Sequence, residues 1–204
     1  MTQYHHLDES GDPGSIDTAG ASSQYVLAMV QMAEHAPIPE LAAVRRALYL
    51  PPLFEFKYYT TTPTQKRVLF DAFQALPFRV RCAALDKSKL PVDWARLSGQ
   101  ALTVELIVRL TLRASALDIA NDMLIIDGGT PALRRAVRVR LSDECRKTGR
   151  VRPFGKIVGG RSLREDGLQV ADMIAGAIRQ HRMGAESSYY RTFADKIADW
   201  WAIP

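Results

Sequence analysis

Nowhere in this sequence do apolar residues run for the ~18 positions that a membrane-crossing helix needs. The N-terminal residues lack the basic-then-apolar pattern of a secretory signal, so the expectation is a cytoplasmic protein without a membrane role. Cysteine is nearly missing. Cys82 and Cys145 lie far apart in apolar settings, which predicts reduced packing residues in place of a disulfide or a thiolate metal site. His5, His6, His35 and His181 show neither HxxxH nor HExxH spacing, which argues against zinc. GxxxxGK[ST], GxGxxG and GxSxG are absent, removing the simplest P-loop, dinucleotide and α/β-hydrolase readings. No internal repeat and no low-complexity tract is visible.

What is present suits a single domain spanning 1–204. With 47% hydrophobic and 24% charged residues, the composition is that of an ordinary globular chain. At 204 residues it can bury about 70% of its unfolded surface. Net charge is +5, unevenly placed. Between Arg134 and Arg164 eleven basic residues face only Asp143 and Glu144, a local excess of nine that leaves the remainder at −4. Such asymmetry is either the footprint of a polyanion partner or a solvated helix face. Oligomeric state leaves no mark in the sequence.

Gln3 to Leu7 reads as a strand ending at Asp8-Glu9-Ser10-Gly11-Asp12, followed by a turn at Gly11–Gly14 and a loop over 15–23. A second strand over 25–32 makes an antiparallel opening pair. Helices are expected over 40–49, from a Thr64 cap to Leu76, and over 94–117, the last largely buried. Strands are expected over 78–85, over 123–126 ending in Asp127, and over 153–158 as the final one. Thr130-Pro131 opens a helix with Leu133, Val137, Leu141 and Cys145 on one stripe. Residues 168–181 form another, and Tyr190, Phe193, Ile197 and Trp200 mark a C-terminal helix over 188–201. The order predicts an α/β fold with a mixed sheet flanked by helices.

Four carboxylates border apolar segments: Asp8, Glu55, Asp127 and Asp172. Each has a plain alternative. Asp8, with Ser10 and Asp12, reads as a ligand-bearing strand end or as a turn former. Strand alternation would put Asp8 on the face of His6 and Tyr4, with Glu9 opposite; His6 reads as a substrate contact or as a partly exposed strand histidine. Asp127 precedes Gly128-Gly129 and a helix start, where an acid is favoured anyway. Asp172 shares a polar helix sector with Gln169, Gly176 and Arg179, bordering either a cleft or water. Glu55, beside Lys57, is a metal ligand with a phosphate-binding neighbour or a half-buried strand residue paired to that lysine. Brought together, four carboxylates would repel one another unless hard divalent cations neutralised them.

The motifs Leu7-Asp8-Glu9-Ser10-Gly11-Asp12, Phe54-Glu55-Phe56-Lys57, strand-end Asp127 and Leu168-Gln169-Val170-Ala171-Asp172 resemble a bacterial and phage family, domain of unknown function 3800. The resemblance spans nearly the whole chain and implies a ribonuclease H-like fold. It also implies two magnesium or manganese ions, with Asp8 shared between them and Glu55, Asp127 and Asp172 completing the site. His5-His6 depart from the more apolar first strand expected. The resulting expectation is a metal-dependent nuclease, a hydrolase acting on RNA or DNA by a two-metal mechanism. Lys57, Arg134, Arg135, Arg138, Arg161 and Arg164 would contact the nucleic-acid backbone. The alternatives are a non-catalytic nucleic-acid-binding module of the same fold, or a phosphohydrolase acting on nucleotides.

Overall fold

The run Gln24–Met32 is apolar on both faces, as a strand covered from both sides must be. In the computed structural model, which describes residues 2–14, 21–90, 92–97, 99–115 and 119–203, this strand is central to the sheet. The strands are β1 (Tyr4–Ser10), β2 (Gln24–Met32), β3 (Arg79–Asp86), β4 (Met123–Asp127), β5 (Lys156–Gly160) and β6 (Ile197–Ile203). They form one six-stranded mixed sheet in the order β5-β4-β1-β2-β3-β6. β1–β2 and β2–β3 pair antiparallel, whereas β1–β4, β4–β5 and β3–β6 pair parallel. The arrangement is consistent with a ribonuclease H-like α/β fold.

Among the described residues seven helices cover the faces: α1 (Pro39–Ala47), α2 (Pro63–Ala75), α3 (Val92–Ala95), α4 (Gln100–Leu112), α5 (Pro131–Thr148), α6 (Asp166–Arg182) and α7 (Ser188–Arg191). Strand alternation divides the core. Val26, Ala28, Val30, Val80 and Cys82 pack with α1, α2 and α6, while Tyr25, Leu27, Met29, Ala83 and Leu85 pack with α4 and α5. Local chemistry sets several boundaries. Thr62 and Gln65 form a reciprocal capping box at the start of α2, with Pro63 in its first turn. Thr130 caps α5, and Gly149 closes it in the left-handed conformation.

Several expectations are corrected. The helix expected over 188–201 is only the single turn α7, a short 3-10 turn, and then β6. The apolar spacing from Tyr190 to Trp200 imitates a helix, but the edge of β3 needs a partner and the Ile-Ala-Asp-Trp-Trp-Ala-Ile run suits a strand. Consecutive Trp200 and Trp201 accordingly face opposite sides, against Tyr190 and Trp94 respectively. Residues 94–117 do not form one helix. α3 and α4 are separated by Gly99, whose φ of 52° breaks the helical path, and 116–118 lie outside the described residues, as do 15–20 of the expected loop. The α2 cap is Thr62, not Thr64. The strand expected over 153–158 is Lys156–Gly160 and is not the last. Residues 54–59 are loop, so Glu55 is no strand residue. β1 runs through Asp8 to Ser10, and its His6 is fully buried rather than partly exposed.

Candidate functional site

β1 and β4 run parallel, with Leu7 opposite Ile126 as their last registered pair. One residue on, Asp8 and Asp127 therefore sit on neighbouring strands, about 4.8 Å apart in the pairing direction. Both belong to the sheet face covered by α6, since Leu7 and Ile126 belong to the opposite core. Asp172 projects from α6 toward this point, and its Oδ1 accepts the Tyr58 backbone N–H at 3.4 Å. Gly176, one turn along, makes room for that loop, because a Cβ there would collide with the Tyr58 side chain.

Glu55 reaches the same place from the loop after α1. The Ser162 hydroxyl donates to Glu55 Oε1 at 2.5 Å and to Asp127 Oδ2 at 3.4 Å, while the Ser162 backbone N–H donates to Asp127 Oδ1 at 3.0 Å. Buried Gln169 holds this arrangement from behind. Its amide nitrogen donates to the Ser162 carbonyl at 2.8 Å, and its Oε1 accepts from the Phe56 backbone at 3.0 Å and from Arg45 at 3.0 Å. Arg45 in turn pairs with Asp166 at 2.7 Å and donates to the Phe54 carbonyl at 2.9 Å. Ser162, Gln169 and Arg45 thus position the acids, and sequence reasoning missed all three in that role. A glutamine in the otherwise apolar Leu168–Ala171 run was the available signal, since a buried amide must be hydrogen-bonded.

The electrostatics distinguish these acids from the neighbouring turn acid. Asp12 accepts from the Gly14 and Ser22 backbone and pairs with Lys87, and its pKa is lowered, chiefly by the Ser22 bond. Asp12 is a turn former; Asp8 is not. Burial first, then the charges of Asp172 and Asp127, push Asp8 well above the carboxylate range. Asp172 is pushed up to about 6, mainly by burial, with Asp127 and Glu55 adding to it against the Tyr58 bond and Lys57. Lys57 lies 3.4 Å from Glu55. Partial burial pulls its ammonium down, but Glu55, Asp127 and Asp172 outweigh this and raise it.

Two clefts flank the acids. One, of about 430 Å³, is lined by Gly128, Gly129, Gly159 and Gly160 with Arg134, Arg161 and Arg164. The Arg134 Nε is buried without a hydrogen-bond partner among the described residues. The other, of about 340 Å³, adjoins Asp172 and is lined by Tyr58, Tyr59, Lys66 and Arg179. The remaining basic residues of the 134–164 segment divide differently. Arg138 donates to the Ile157 carbonyl, Arg150 to the Leu112 and Ala114 carbonyls, and Arg140 pairs with Glu105 and Glu144. Arg135 is exposed, one residue from the cleft-lining Arg134.

The all-oxygen set Asp8, Glu55, Asp127 and Asp172 is the donor chemistry that magnesium and manganese take. The carboxylate repulsion that adds to burial in raising Asp8 and Asp172 fits the same group. The set is loosely gathered: among the described residues, only His6, His35 and Glu165 bring three ligand atoms within 4.8 Å of one another. Burial, followed by the charges of His35 and His5, lowers His6 to about 4, which keeps it neutral. His5, on the other face, is a core residue bonded to Asp122 at 2.8 Å.

Comparison with protein-family models, curated proteins and solved structures returns no match for this chain. No helix among the described residues is long and apolar enough to cross a membrane.

Proposed function

We propose that this chain is a metal-dependent phosphodiesterase that cleaves nucleic acid, RNA or DNA, in the cytoplasm, and that its acidic motifs are those of the domain of unknown function 3800 family. One observation carries the reading. Carboxylates from β1, β4, α6 and the loop after α1 converge between two clefts that bear cationic side chains. A phosphodiester strand crossing the acids would find counter-charge on both sides, which favours a polymer over a small nucleotide.

Asp8, Glu55, Asp127 and Asp172 would hold two magnesium or manganese ions, which supply an activated water and charge neutralisation at the leaving oxygen. The chain's own residues do the rest. Arg134, Arg161 and Arg164 bind backbone phosphates, which sets the position of the strand without reading its sequence. Tyr59, 97% exposed, offers a ring face to a base, while Arg179 and Lys66, the latter lying over the Tyr58 ring, offer charge beside it. Lys57 sits among the carboxylates, where it can meet the reacting phosphate. Ser162 keeps Glu55 and Asp127 on a common hydroxyl, so their separation does not depend on the ions.

The test is incubation of the purified chain with labelled single- and double-stranded RNA and DNA, with and without Mg²⁺ or Mn²⁺. Metal-dependent cleavage is expected. Salt-sensitive binding without cleavage would replace this reading with the non-catalytic binding module. Hydrolysis of free nucleotides alone would replace it with the small-molecule phosphohydrolase.

A further inference from the structure

We infer that His6, His35 and Glu165 form a second metal site, separate from the carboxylate cluster and suited to zinc or a similar borderline transition ion. The three residues come from β1, the loop after β2 and the residue just before α6, so only the fold unites them. His6 Nε2 lies 3.4 Å from His35 Nδ1, and Glu165 Oε2 lies 4.0 Å from His35 Nε2. Tetrahedral zinc with Zn–N bonds of about 2.0–2.1 Å sets its ligand atoms about 3.4 Å apart. The two histidines have that spacing through His35 Nδ1, so an ion there would replace their mutual hydrogen bond and leave His35 Nε2 free, and one ligand atom from each of the three residues lies within 4.8 Å of the others.

Beyond the hydrogen bond between His6 and His35, the cluster keeps an acceptor without a partner. Glu165 Oε2 is buried without a hydrogen-bond partner among the described residues. A buried carboxylate oxygen left so is costly, and an ion between it and the imidazoles would remove that cost. His6 is 2% exposed and cannot turn to water. Its ring rests against Gly167, where any Cβ would overlap the imidazole. On the other side it faces the His35 ring, with centroids 5.6 Å apart, and Tyr4 backs His35 at 5.3 Å. His35 is exposed, so it can adjust to complete the site.

The ligand set decides the class of ion. Two imidazoles and one carboxylate suit zinc and its neighbours, whereas magnesium and calcium prefer oxygen alone. Three protein ligands leave a fourth position open, as catalytic rather than structural zinc sites do. Here it would face a cleft of about 610 Å³, lined also by Arg45, Leu53, Leu163 and Arg164.

The experiment is a Zn²⁺ titration of the full chain against a chromophoric chelator, repeated with Co²⁺, whose visible absorption reports tetrahedral nitrogen and oxygen ligation. The wild type and Asp8→Asn are expected to bind one Zn²⁺ alike. His35→Ala and Glu165→Gln, both changes outside the buried core, should weaken it by more than the roughly tenfold that loss of a supporting group costs. The Co²⁺ spectrum should be lost with them. Unchanged Zn²⁺ binding in both variants would overturn the proposal. So would loss of the Zn²⁺ in Asp8→Asn with retention in His35→Ala, because the ion would then belong to the carboxylates. None of these outcomes depends on whether the chain cleaves nucleic acid.

Discussion

Two groups of carboxylates in this protein have opposite electrostatics. Between α4 and α5, Glu105 is met by Arg109 at 2.6 Å and by Arg140 at 3.1 Å, while Glu144 pairs with Arg140 and with Lys147 at 3.1 Å. Glu144 is held below its usual range, first by the Arg140 bond. At Asp8, Asp127, Asp172 and Glu55, by contrast, the one direct ion pair among the described residues is Lys57 with Glu55. There Asp8 and Asp172 are pushed up. The first group neutralises itself and needs nothing more. The second is held in place by Ser162 and Gln169, so repulsion cannot disperse it, and a charge from outside the chain would relieve it.

The comparison breaks most visibly at Asp8. Asp8→Asn should cut metal-dependent cleavage about a thousandfold or more, since several kcal/mol of charge stabilisation depend on the ions it would hold. Circular dichroism should show the fold unchanged. Normal turnover by folded variant would remove Asp8 from the site.

A smaller effect separates the two kinds of arginine. Replacing Arg134, Arg161 and Arg164 with Gln should lower the slope of log affinity against log salt by about 2, at roughly 0.7–0.9 per phosphate contact. Fluorescence anisotropy with a generic oligonucleotide measures it. If the slope does not move, the glycine-lined cleft does not hold the backbone.

Asp172 sharpens the electrostatic side. Its folded-state pKa lies near 6 against an ordinary 3.8, so the folded protein keeps a proton that the unfolded chain releases. That contribution to stability is complete below about 4 and is lost as pH rises through 6. Asn cannot ionise. The melting temperature of Asp172→Asn minus that of wild type should therefore grow between pH 4 and 6.5 and then level off. Mn²⁺ should shrink the difference by stabilising wild type more than the variant, which has one ligand fewer. A difference independent of pH would mean that Asp172 is solvated and uncoupled.

The smallest expected effect is on the self-neutralised group. Arg140→Gln should cost within about 1 kcal/mol, as partly exposed pairs do, and leave the salt slope of nucleic-acid binding untouched. A slope reduced as far as in the cleft variant would show that the division of the basic segment is wrong.

Much of the framework was legible because it follows local rules. Proline and threonine at 130–131 start α5 where expected, the β1–β2 pair appears, and Asp127 ends its strand. The polar sector of α6 does border a cleft, beside Tyr58. Local rules also misled. The Tyr190–Trp200 spacing satisfies a helix as well as it satisfies nothing else, and only the free edge of β3 makes Ile197–Ile203 a strand. Counting charge along 134–164 could not separate Arg134, which lines a cleft, from Arg140 and Arg150, which bond to the protein itself.

By itself, then, the sequence determined the strand and helix settings of Asp8, Asp127 and Asp172, though not the loop setting of Glu55, because capping, alternation and glycine conformation act within a few residues. The tertiary structure alone decided which of them meet. Asp8 neighbours Asp127 because β1 pairs with β4 across more than a hundred residues of chain, and His6 meets His35 and Glu165 by a similar long-range closure. Distances between side chains so far apart in sequence depend on strand register and helix packing. No periodicity in the residues encodes them, which is why a chain without zinc spacing still gathers two histidines and a glutamate.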